Sequence, residues 1–465
     1  MTHYHFIGIG GAGLSPIARV LMERGHSISG SDMMTSPFVE ELQALGAKVF
    51  IGHKAENVMG AEIVIRSSAV PDDNVEVLAA TDIHIPVLKR ADFLEELTLG
   101  FKVIAIAGTH GKTTTTAMIA WILIQLGKDP SYIIGGVSKD LGGNAHNGNG
   151  KYFVIEADEY DSMFLGLQPD YLIVTNIEHD HPDYFHTPAS YRKAFCDLIK
   201  RIKPGGTLIA CANSTESLQA SKLAEKNIKV LTYGTDIQAS YLAKDIRHQK
   251  NHGVLFTAAI LNTEVTPVLS NIQMQVPGKH NASNALAALA LTYQLGLPLE
   301  DAVKALETFT GTKRRFDILG TVNGITIIND YAHHPTEIRA TISAAHCHYP
   351  GQEIWTVWQP HTYSRTQELL EDFLTAFRES DHVIVTEIFA SREKKQEFSA
   401  REVVALMKHK DAHFIASLQD AAQFLIKSMK SDDILLVLSA GDANQISNQV
   451  FAQLQKRATR RAING

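Results

Sequence analysis

The segment Gly108–Thr114, GTHGKTT, constrains the fold of this chain more than any other part of the sequence. An apolar stretch, FKVIAIA, precedes it, and a second one, AMIAWILIQLG, follows it. A glycine turn between a buried strand and a helix is typical of phosphate binding in α/β folds, because backbone N–H groups and the helix N-terminus point at the anion. Lys112 can then reach the β- and γ-phosphates of a nucleotide, and the Thr113 hydroxyl can bind Mg²⁺. The full Walker spacing requires glycine where this chain has Ile106, so we predict a variant phosphate loop; the alternative is a glycine-rich turn with a surface lysine.

A second glycine turn, GIGGAG at 8–13, follows the first apolar strand of the chain. It matches the dinucleotide fingerprint, and Asp32 ends the next strand at a suitable distance. We expect a diphosphate on the first helix, with Asp32 on a ribose or base. Glycines that only allow close helix–sheet packing are the alternative. An NAD-dependent dehydrogenase would use this turn but would leave the phosphate loop at 108–114 unexplained.

The order of strands and helices predicts three α/β domains, because 465 residues correspond to about three units of ~150 residues. We place a Rossmann-like parallel sheet at 1–100, a central P-loop ATPase domain at 101–311 and a Rossmann-like domain at 312–465. Within the central domain, the alternating apolar and polar residues from about Tyr233 to Val276 predict antiparallel strands.

Acidic residues and histidines follow two strands of the predicted central sheet. The strand YFVIEA runs into the acidic segment 156–161, EADEYD, and begins it with Glu156. Carboxylates at a strand end suit Mg²⁺, although a solvated acidic turn is the alternative for the later acids. The next strand ends in 176–181, NIEHDH, where His181 and its neighbours could bind a second metal or act in acid–base chemistry. A hydrogen-bonded structural role is the default for any single histidine.

Three charged motifs follow strands in the last part of the chain, at 311–316 (GTKRRF), 330–337 (DYAHHPTE) and 359–366 (QPHTYSRT). Each alone could be an exposed loop. Together, at the ends of strands in a third sheet, they predict a surface that faces the nucleotide site.

Charge and apolar content argue against two other classes of function. The formal net charge of −7 disfavours nucleic-acid binding, and no apolar run approaches the ~20 residues needed to cross a membrane. The three cysteines show no paired spacing, and no secretion signal is visible, so we expect reduced thiols and a cytoplasmic protein.

The motifs taken together resemble the Mur ligase family, and within it the alanine-adding group. They are GIGGAGLSPIA, GTHGKTTT, EADEYD, NIEHDH, GKHNASNALAA, GTKRRF, DYAHHPTEI and QPHTYSRT, in the family's order from residue 7 to about residue 366. The resemblance implies an ATP-dependent ligase that joins L-alanine to the carboxylate of UDP-N-acetylmuramate in peptidoglycan synthesis. An acyl phosphate is the implied intermediate, ADP and phosphate are the by-products, and ATP and Mg²⁺ are the implied cofactors.

The resemblance also implies roles for individual residues. The implied contacts to ATP are Gly108, Thr109, His110, Gly111, Lys112, Thr113, Thr114, Asn281, Arg315, Asp330 and His334. The implied contacts to the UDP-substrate are Gly10, Gly11, Asp32 and Ser67. The implied metal ligands are Thr113, Glu156 and His181. The implied catalytic residues are Lys112, His181 and Arg365, the last facing the acidic end of the substrate.

Two residues depart from the alanine-adding pattern, Tyr160 in place of serine and Thr362 in place of arginine. The tyrosine also occurs in the murein-tripeptide recycling ligase, which is therefore an alternative, whereas GIGGAG and YSRT favour the alanine-adding enzyme. The carbamylated lysine of other Mur ligases is not predicted, because no lysine is well placed. A dinucleotide-dependent oxidoreductase and a regulatory P-loop ATPase are the alternatives from other classes.

Overall fold

The apolar stretches predicted as strands form three separate sheets, which follow one another along the chain. The structure is a computed structural model that describes residues 1–249, 252–261 and 268–464. Helices cover each sheet. The predicted fold, three α/β domains, is confirmed. The exact domain boundaries stay a prediction.

The first domain is a five-stranded, fully parallel sheet in the order β3-β2-β1-β4-β5. Its strands are β1 (His3–Ile7), β2 (Ser27–Asp32), β3 (Lys48–Ile51), β4 (Ile63–Arg66) and β5 (Val87–Lys89). Its helices are α1 (Ser15–Glu23), α2 (Pro37–Ala44), α3 (Val75–Asp82) and α4 (Arg90–Leu97), with a 3₁₀ helix at Ala55–Val58. The glycine turn at 8–13 joins β1 to α1, as a dinucleotide-type unit requires.

The central domain has ten strands in the order β15-β14-β13-β12-β11-β10-β6-β9-β7-β8. The strands are β6 (Lys102–Ala107), β7 (Ser131–Ile133), β8 (Ala145–His146), β9 (Tyr152–Glu156), β10 (Tyr171–Val174), β11 (Thr207–Cys211), β12 (Lys229–Thr235), β13 (Tyr241–His248), β14 (Val254–Ile260) and β15 (Val268–Gln273). The helices are α5 (Lys112–Gln125), α6 (Pro188–Ile199), α7 (Thr215–Ser221), α8 (Lys279–Gln294) and α9 (Leu299–Thr308), with a 3₁₀ helix at Tyr160–Gly166. Helix α5 is largely apolar after its first turn, and it is buried between the sheet and helices α8 and α9.

The prediction of antiparallel strands from Tyr233 onward is confirmed only in part. Strands β13, β14 and β15 are antiparallel, but Tyr233 lies in β12, which pairs in parallel with both β11 and β13. Helix α7 connects β11 to β12, and a helical crossover returns the chain in the parallel direction. Residues 250–251 and 262–267 of the predicted segment lie outside the described residues.

The C-terminal domain has six strands in the order β16-β17-β21-β18-β19-β20, parallel except for the β16–β17 hairpin. The strands are β16 (Asp317–Val322), β17 (Ile325–Asp330), β18 (Ile354–Trp358), β19 (His382–Val385), β20 (Ala412–Phe414) and β21 (Ile434–Leu438). The helices are α10 (Pro335–His348), α11 (Tyr363–Glu368), α12 (Leu370–Ala376), α13 (Ala400–Leu406), α14 (Leu418–Ser428) and α15 (Asn444–Asn464). The motifs at 330–337 and 359–366 follow β17 and β18, so both lie at the carboxyl edge of this sheet.

Two further predictions concern the cysteines and the membrane. All three cysteines, Cys196, Cys211 and Cys347, are free. None of the described helices has the length and apolar content needed to cross a bilayer.

Candidate active site

The loop Gly108–Thr114 joins β6 to α5, and its glycines are required by close contacts. Gly108 has φ +139°, and a Cβ on it would lie 2.0 Å from the Thr175 hydroxyl oxygen. Gly111 has φ +80°, and a Cβ there would lie 2.7 Å from the Asn284 side-chain oxygen. Lys112 then begins α5. This is the geometry predicted from the sequence, with the helix N-terminus directly behind the turn.

Lys112 is held beside a buried carboxylate by contacts with that carboxylate and with the backbone of the loop. Its ammonium donates to the carbonyl of Gly108 (2.6 Å) and lies 2.8 Å from a carboxylate oxygen of Glu159, which is 1% exposed. Burial alone would lower the pKa of Lys112, but Glu159 and Glu156 more than offset it, so the pKa lies above its ordinary value. Lys112 is therefore a fixed cation beside the phosphate loop.

Glu156 and Thr113, two of the three predicted metal ligands, are in direct contact. The Thr113 hydroxyl donates to Glu156 Oε1 (3.0 Å), and the Gly135 N–H donates to Oε2 (2.6 Å). Burial raises the pKa of Glu156 above its ordinary value in spite of nearby Lys112. A desolvated carboxylate beside a hydroxyl is a hard-oxygen donor set that gains from a divalent cation, so these residues fit Mg²⁺.

The third predicted metal ligand, His181, lies nearby with a different partner. Its Nε2 is 3.7 Å from Glu159 Oε1, and its ring packs edge-on against Tyr160 at 5.2 Å between centroids. The hydroxyl of Tyr160 in turn donates to Asp183 (3.3 Å), and the Arg392 guanidinium lies over its ring. The tyrosine that departs from the family pattern therefore lies beside the proposed metal residues.

His110 lies between a carboxylate of the central domain and a carboxylate of the C-terminal domain. Its Nε2 lies 3.1 Å from Glu178, and its Nδ1 lies 3.2 Å from Glu337 of α10. Burial would lower the pKa of His110, but the two glutamates raise it to about 9, so the imidazole is protonated at neutral pH. Burial would raise the pKa of Glu178, but the hydrogen bond with His110 and the nearby His334 lower it to about 2.

His110, Glu178 and His334 also place three ligand-type atoms within 4.8 Å of one another. A metal there would have to displace the proton of His110. His334 Nδ1 already accepts the N–H of Thr336 at the start of α10. A neutral His334 ring therefore carries its proton on Nε2. Nε2 is the remaining nitrogen through which the ring would bind a metal. The cluster is therefore better suited to an ion pair than to a metal.

Arg365, predicted as catalytic, is a buried link between the same two domains. It is 2% exposed, and its Nε donates to Asp180 Oδ1 at 2.7 Å. Another guanidinium nitrogen lies 3.1 Å from His361 Nδ1. Burial would raise the pKa of Asp180, but Arg365 holds it well below its ordinary value. The charged pair thus fixes QPHTYSRT of the third domain on NIEHDH of the second.

Thr362, the second departure from the family pattern, lies one helical turn before Arg365. It is buried with φ +66°, a conformation that β-branched residues rarely adopt, and its N–H donates to the Phe389 carbonyl (2.9 Å). Its carbonyl accepts the Thr366 hydroxyl at 2.7 Å. The backbone bonds thus hold residue 362 in place, and its side chain makes no hydrogen bond with the described residues.

A cavity of about 690 Å³ lies between the central and C-terminal domains, beside the phosphate loop. Seven of the predicted ATP residues line it, namely His110, Gly111, Thr113, Thr114, Asn281, Arg315 and Asp330. His334 lies just behind, with its ring 4.7 Å from that of His110. Burial raises the pKa of Asp330 to about 6. The volume suits a nucleotide-sized ligand.

The predicted UDP-binding residues lie apart from this cavity, around the glycine turn of the first domain. Asp32 Oδ2 accepts the backbone N–H of Gly10 (2.9 Å), so its carboxylate holds the turn. Gly11 donates to the Gly8 carbonyl (3.2 Å), and the Ser67 Cβ would lie 3.1 Å from a Cβ on Gly8. The two predicted nucleotide sites are therefore in different domains.

The residues of the site that were not predicted as site residues include Asn284, Glu159, Asp180 and Glu337. Asn284 could have been found, because it follows Asn281 by one helical turn and donates to it (3.1 Å). The other three lie in the motifs 156–161, 176–181 and 330–337, but their partners are distant in sequence.

Three family profiles match the chain in sequence: the "Mur ligase family, catalytic domain" over 3–102, the "Mur ligase middle domain" over 106–292 and the "Mur ligase, glutamate ligase domain" over 314–441. The chain is 40% identical to a UDP-N-acetylmuramate–L-alanine ligase of Geotalea daltonii (97% of this chain, 98% of the relative). It is 39% identical to the enzyme of that name from Acetivibrio thermocellus (97% and 96%).

Solved structures of ligases resemble the whole chain. The UDP-N-acetylmuramate-alanine ligase of Thermotoga maritima superposes with a TM-score of 0.82 at 29% identity, covering 98% of this chain and 100% of its own. A murein peptide ligase of Psychrobacter arcticus gives a TM-score of 0.72 at 25% identity, covering 98% and 99%.

Proposed function

The chain belongs to the Mur ligase family, and from this premise we propose that it joins L-alanine to the carboxylate of UDP-N-acetylmuramate at the expense of ATP. The single observation that supports this most strongly is the cavity in which the phosphate loop, Asn281, Arg315 and Asp330 meet. A phosphate loop in one domain and a separate glycine turn in another suit an enzyme with two nucleotide-containing substrates.

The reaction begins with the carboxylate of UDP-N-acetylmuramate, which is a poor acyl donor because its oxygen leaves badly. The carboxylate attacks the γ-phosphate of ATP, and an acyl phosphate and ADP result. The amine of L-alanine then attacks the acyl carbon, and inorganic phosphate leaves. Positioning and charge neutralisation provide most of the acceleration in such transfers.

Lys112 is the proposed catalytic cation over the transferring phosphate. Its pKa is raised by Glu159 and Glu156, so it keeps its charge at any physiological pH. Glu156, Thr113 and His181 are the residues proposed to hold Mg²⁺, which when bound neutralises charge on the phosphates.

We also propose the division of labour among three domains. Residues 1–100 bind the UDP part, 101–311 bind ATP, and 312–465 close over both to exclude water from the acyl phosphate. The pairs His110–Glu337 and Arg365–Asp180 support closure, because each joins the second domain to the third. The proposal includes a cytoplasmic location, where UDP-sugars and ATP are available.

The murein-tripeptide ligase is the alternative that Tyr160 suggests. The higher TM-score and identity to the alanine-adding structure, together with the full-length relatives, favour L-alanine.

A competition between the two acceptors tests the choice. The enzyme is given ATP, Mg²⁺ and UDP-N-acetylmuramate with equal L-alanine and murein tripeptide, and products are separated by mass. We expect the alanyl product to dominate by kcat/KM. Preferential use of the tripeptide would contradict the proposal.

A further inference from the structure

Arg90 is a buried arginine whose charge is poorly matched by the protein. It begins α4, it is 9% exposed, and it lies between the first and central domains. Its Nη1 is 3.4 Å from Asp158 Oδ2 and 3.6 Å from the Met163 sulfur. Its Nε is buried without a partner, and Nη2 has none among residues 1–249, 252–261 and 268–464. A guanidinium has five N–H donors, so most of its capacity is unused.

The guanidinium lies directly on the glycine turn of the first domain. A Cβ on Gly13 would be 2.7 Å from Arg90 Nη1 and 3.4 Å from the guanidinium carbon. A side chain at position 13 would have to displace the guanidinium from this position. The last glycine of GIGGAG therefore admits an arginine from α4 to the start of α1.

The same turn presents unused backbone donors beside Arg90. The N–H of Gly10 is bound by Asp32, and that of Gly11 by the Gly8 carbonyl. In the described part of the chain, the N–H groups of Ala12 and Gly13 have no acceptor. Two backbone donors, a helix N-terminus and a guanidinium converge on one place, and this combination binds anions.

We propose that Arg90 binds the diphosphate of the UDP-substrate, together with the Ala12 and Gly13 N–H groups. This inference rests on the proposed function, which supplies a diphosphate to a first-domain site. A diphosphate has enough acceptor oxygens for a planar guanidinium fork and two amides at once.

An interdomain ion pair is the competing role of Arg90, and the geometry disfavours it. The contact with Asp158 is long at 3.4 Å, and the Asp158 side chain is 36% exposed. Such a half-solvated carboxylate is a weak partner. Asp158 also belongs to the acidic segment 156–161, so Arg90 lies between the diphosphate turn and the neighbourhood of Glu156.

Binding of UDP and of uridine separates the two roles, because only UDP has a diphosphate. We would measure both by calorimetric competition on the full chain in wild type, Arg90→Met and Arg90→Lys. Lys89→Met is the control, since Lys89 is the exposed preceding cation. Arg90→Met should weaken UDP binding by about 10- to 100-fold and leave uridine binding unchanged. Arg90→Lys should lose less, and Lys89→Met should bind UDP as wild type does.

Steady-state kinetics give a second readout. KM for UDP-N-acetylmuramate should rise in Arg90→Met with a smaller change in kcat. Equal UDP affinity in Arg90→Met and wild type would overturn the inference. Equal losses of affinity for UDP and for uridine in Arg90→Met, together with a lowered melting temperature, would also overturn it. If wild type binds UDP normally but forms no alanyl product, the proposed function fails and the role of Arg90 in diphosphate binding is still tested.

Discussion

Replacing Arg365 with Met should slow ligation by removing a buried charge that links two domains. The substitution leaves Asp180, 3% exposed, without its cation at 2.7 Å. Breaking one side of a buried pair costs about 3–5 kcal/mol. Because the pair joins the second domain to the third, this cost falls on the closed arrangement that the reaction needs. kcat should therefore fall by about two to three and a half orders of magnitude.

Steady-state kinetics with L-alanine varied at saturating ATP measure this effect. Arg365→Lys keeps the charge but loses the planar fork, so its turnover should fall by about one to three orders of magnitude. Exposed Arg378→Met is the matched control and should match wild type. KM for ATP should change little in all three, because Arg365 does not line the cavity.

A double variant shows whether Arg365 acts through Asp180. Arg365→Met with Asp180→Asn removes both charges and should be less impaired than the sum of the single variants, with a coupling of at least about 1 kcal/mol. Strict additivity would refute the coupling, and unchanged kinetics in Arg365→Met and Arg365→Lys alike would remove Arg365 from the site.

Three further predictions concern the central domain. Lys112→Ala should abolish ligation while calorimetry still detects UDP-substrate binding, and near-normal turnover would rule out the phosphate-loop role. Glu156→Ala should raise the Mg²⁺ concentration needed for half-maximal rate or eliminate activity, whereas an unchanged Mg²⁺ titration would mean a merely structural carboxylate. The pKa of His110 is raised to about 9, so its ion pairs are fully present below the ordinary value of about 6.5 and are lost as pH rises through about 9. Raising the pH from about 7 to about 10 should thus lower the melting temperature more in wild type than in His110→Gln, and equal shifts would contradict the assignment.

Local sequence signals predicted the strand–turn–helix units, because a glycine turn and its flanking apolar residues lie together in the chain. This holds for Gly108–Thr114 between β6 and α5 and for the turn before α1. The predicted antiparallel segment began too early in the chain, at Tyr233, which lies in a parallel strand. Alternation of apolar and polar residues does not report strand direction. Direction follows from the connection, here α7.

Pairings between distant residues were beyond the sequence. Lys112 and Glu159 are 47 positions apart, and Asp180 and Arg365 are 185 apart. Each partner stood in a motif already recognised as charged, but which charge meets which depends on how the domains pack. The same reason explains Arg90, which no motif contains and which only the fold brings to Gly13.

Phosphate release from ATP, measured with each substrate omitted in turn, tests the central claim most directly. We predict steady release only when UDP-N-acetylmuramate and L-alanine are both present, with one alanyl product formed per phosphate. A regulatory ATPase would release phosphate without either acceptor, and an oxidoreductase would bind NAD(P) and release none. Phosphate release that continues unchanged when either substrate is omitted would contradict the account. A lack of phosphate release when both substrates are present would also contradict it.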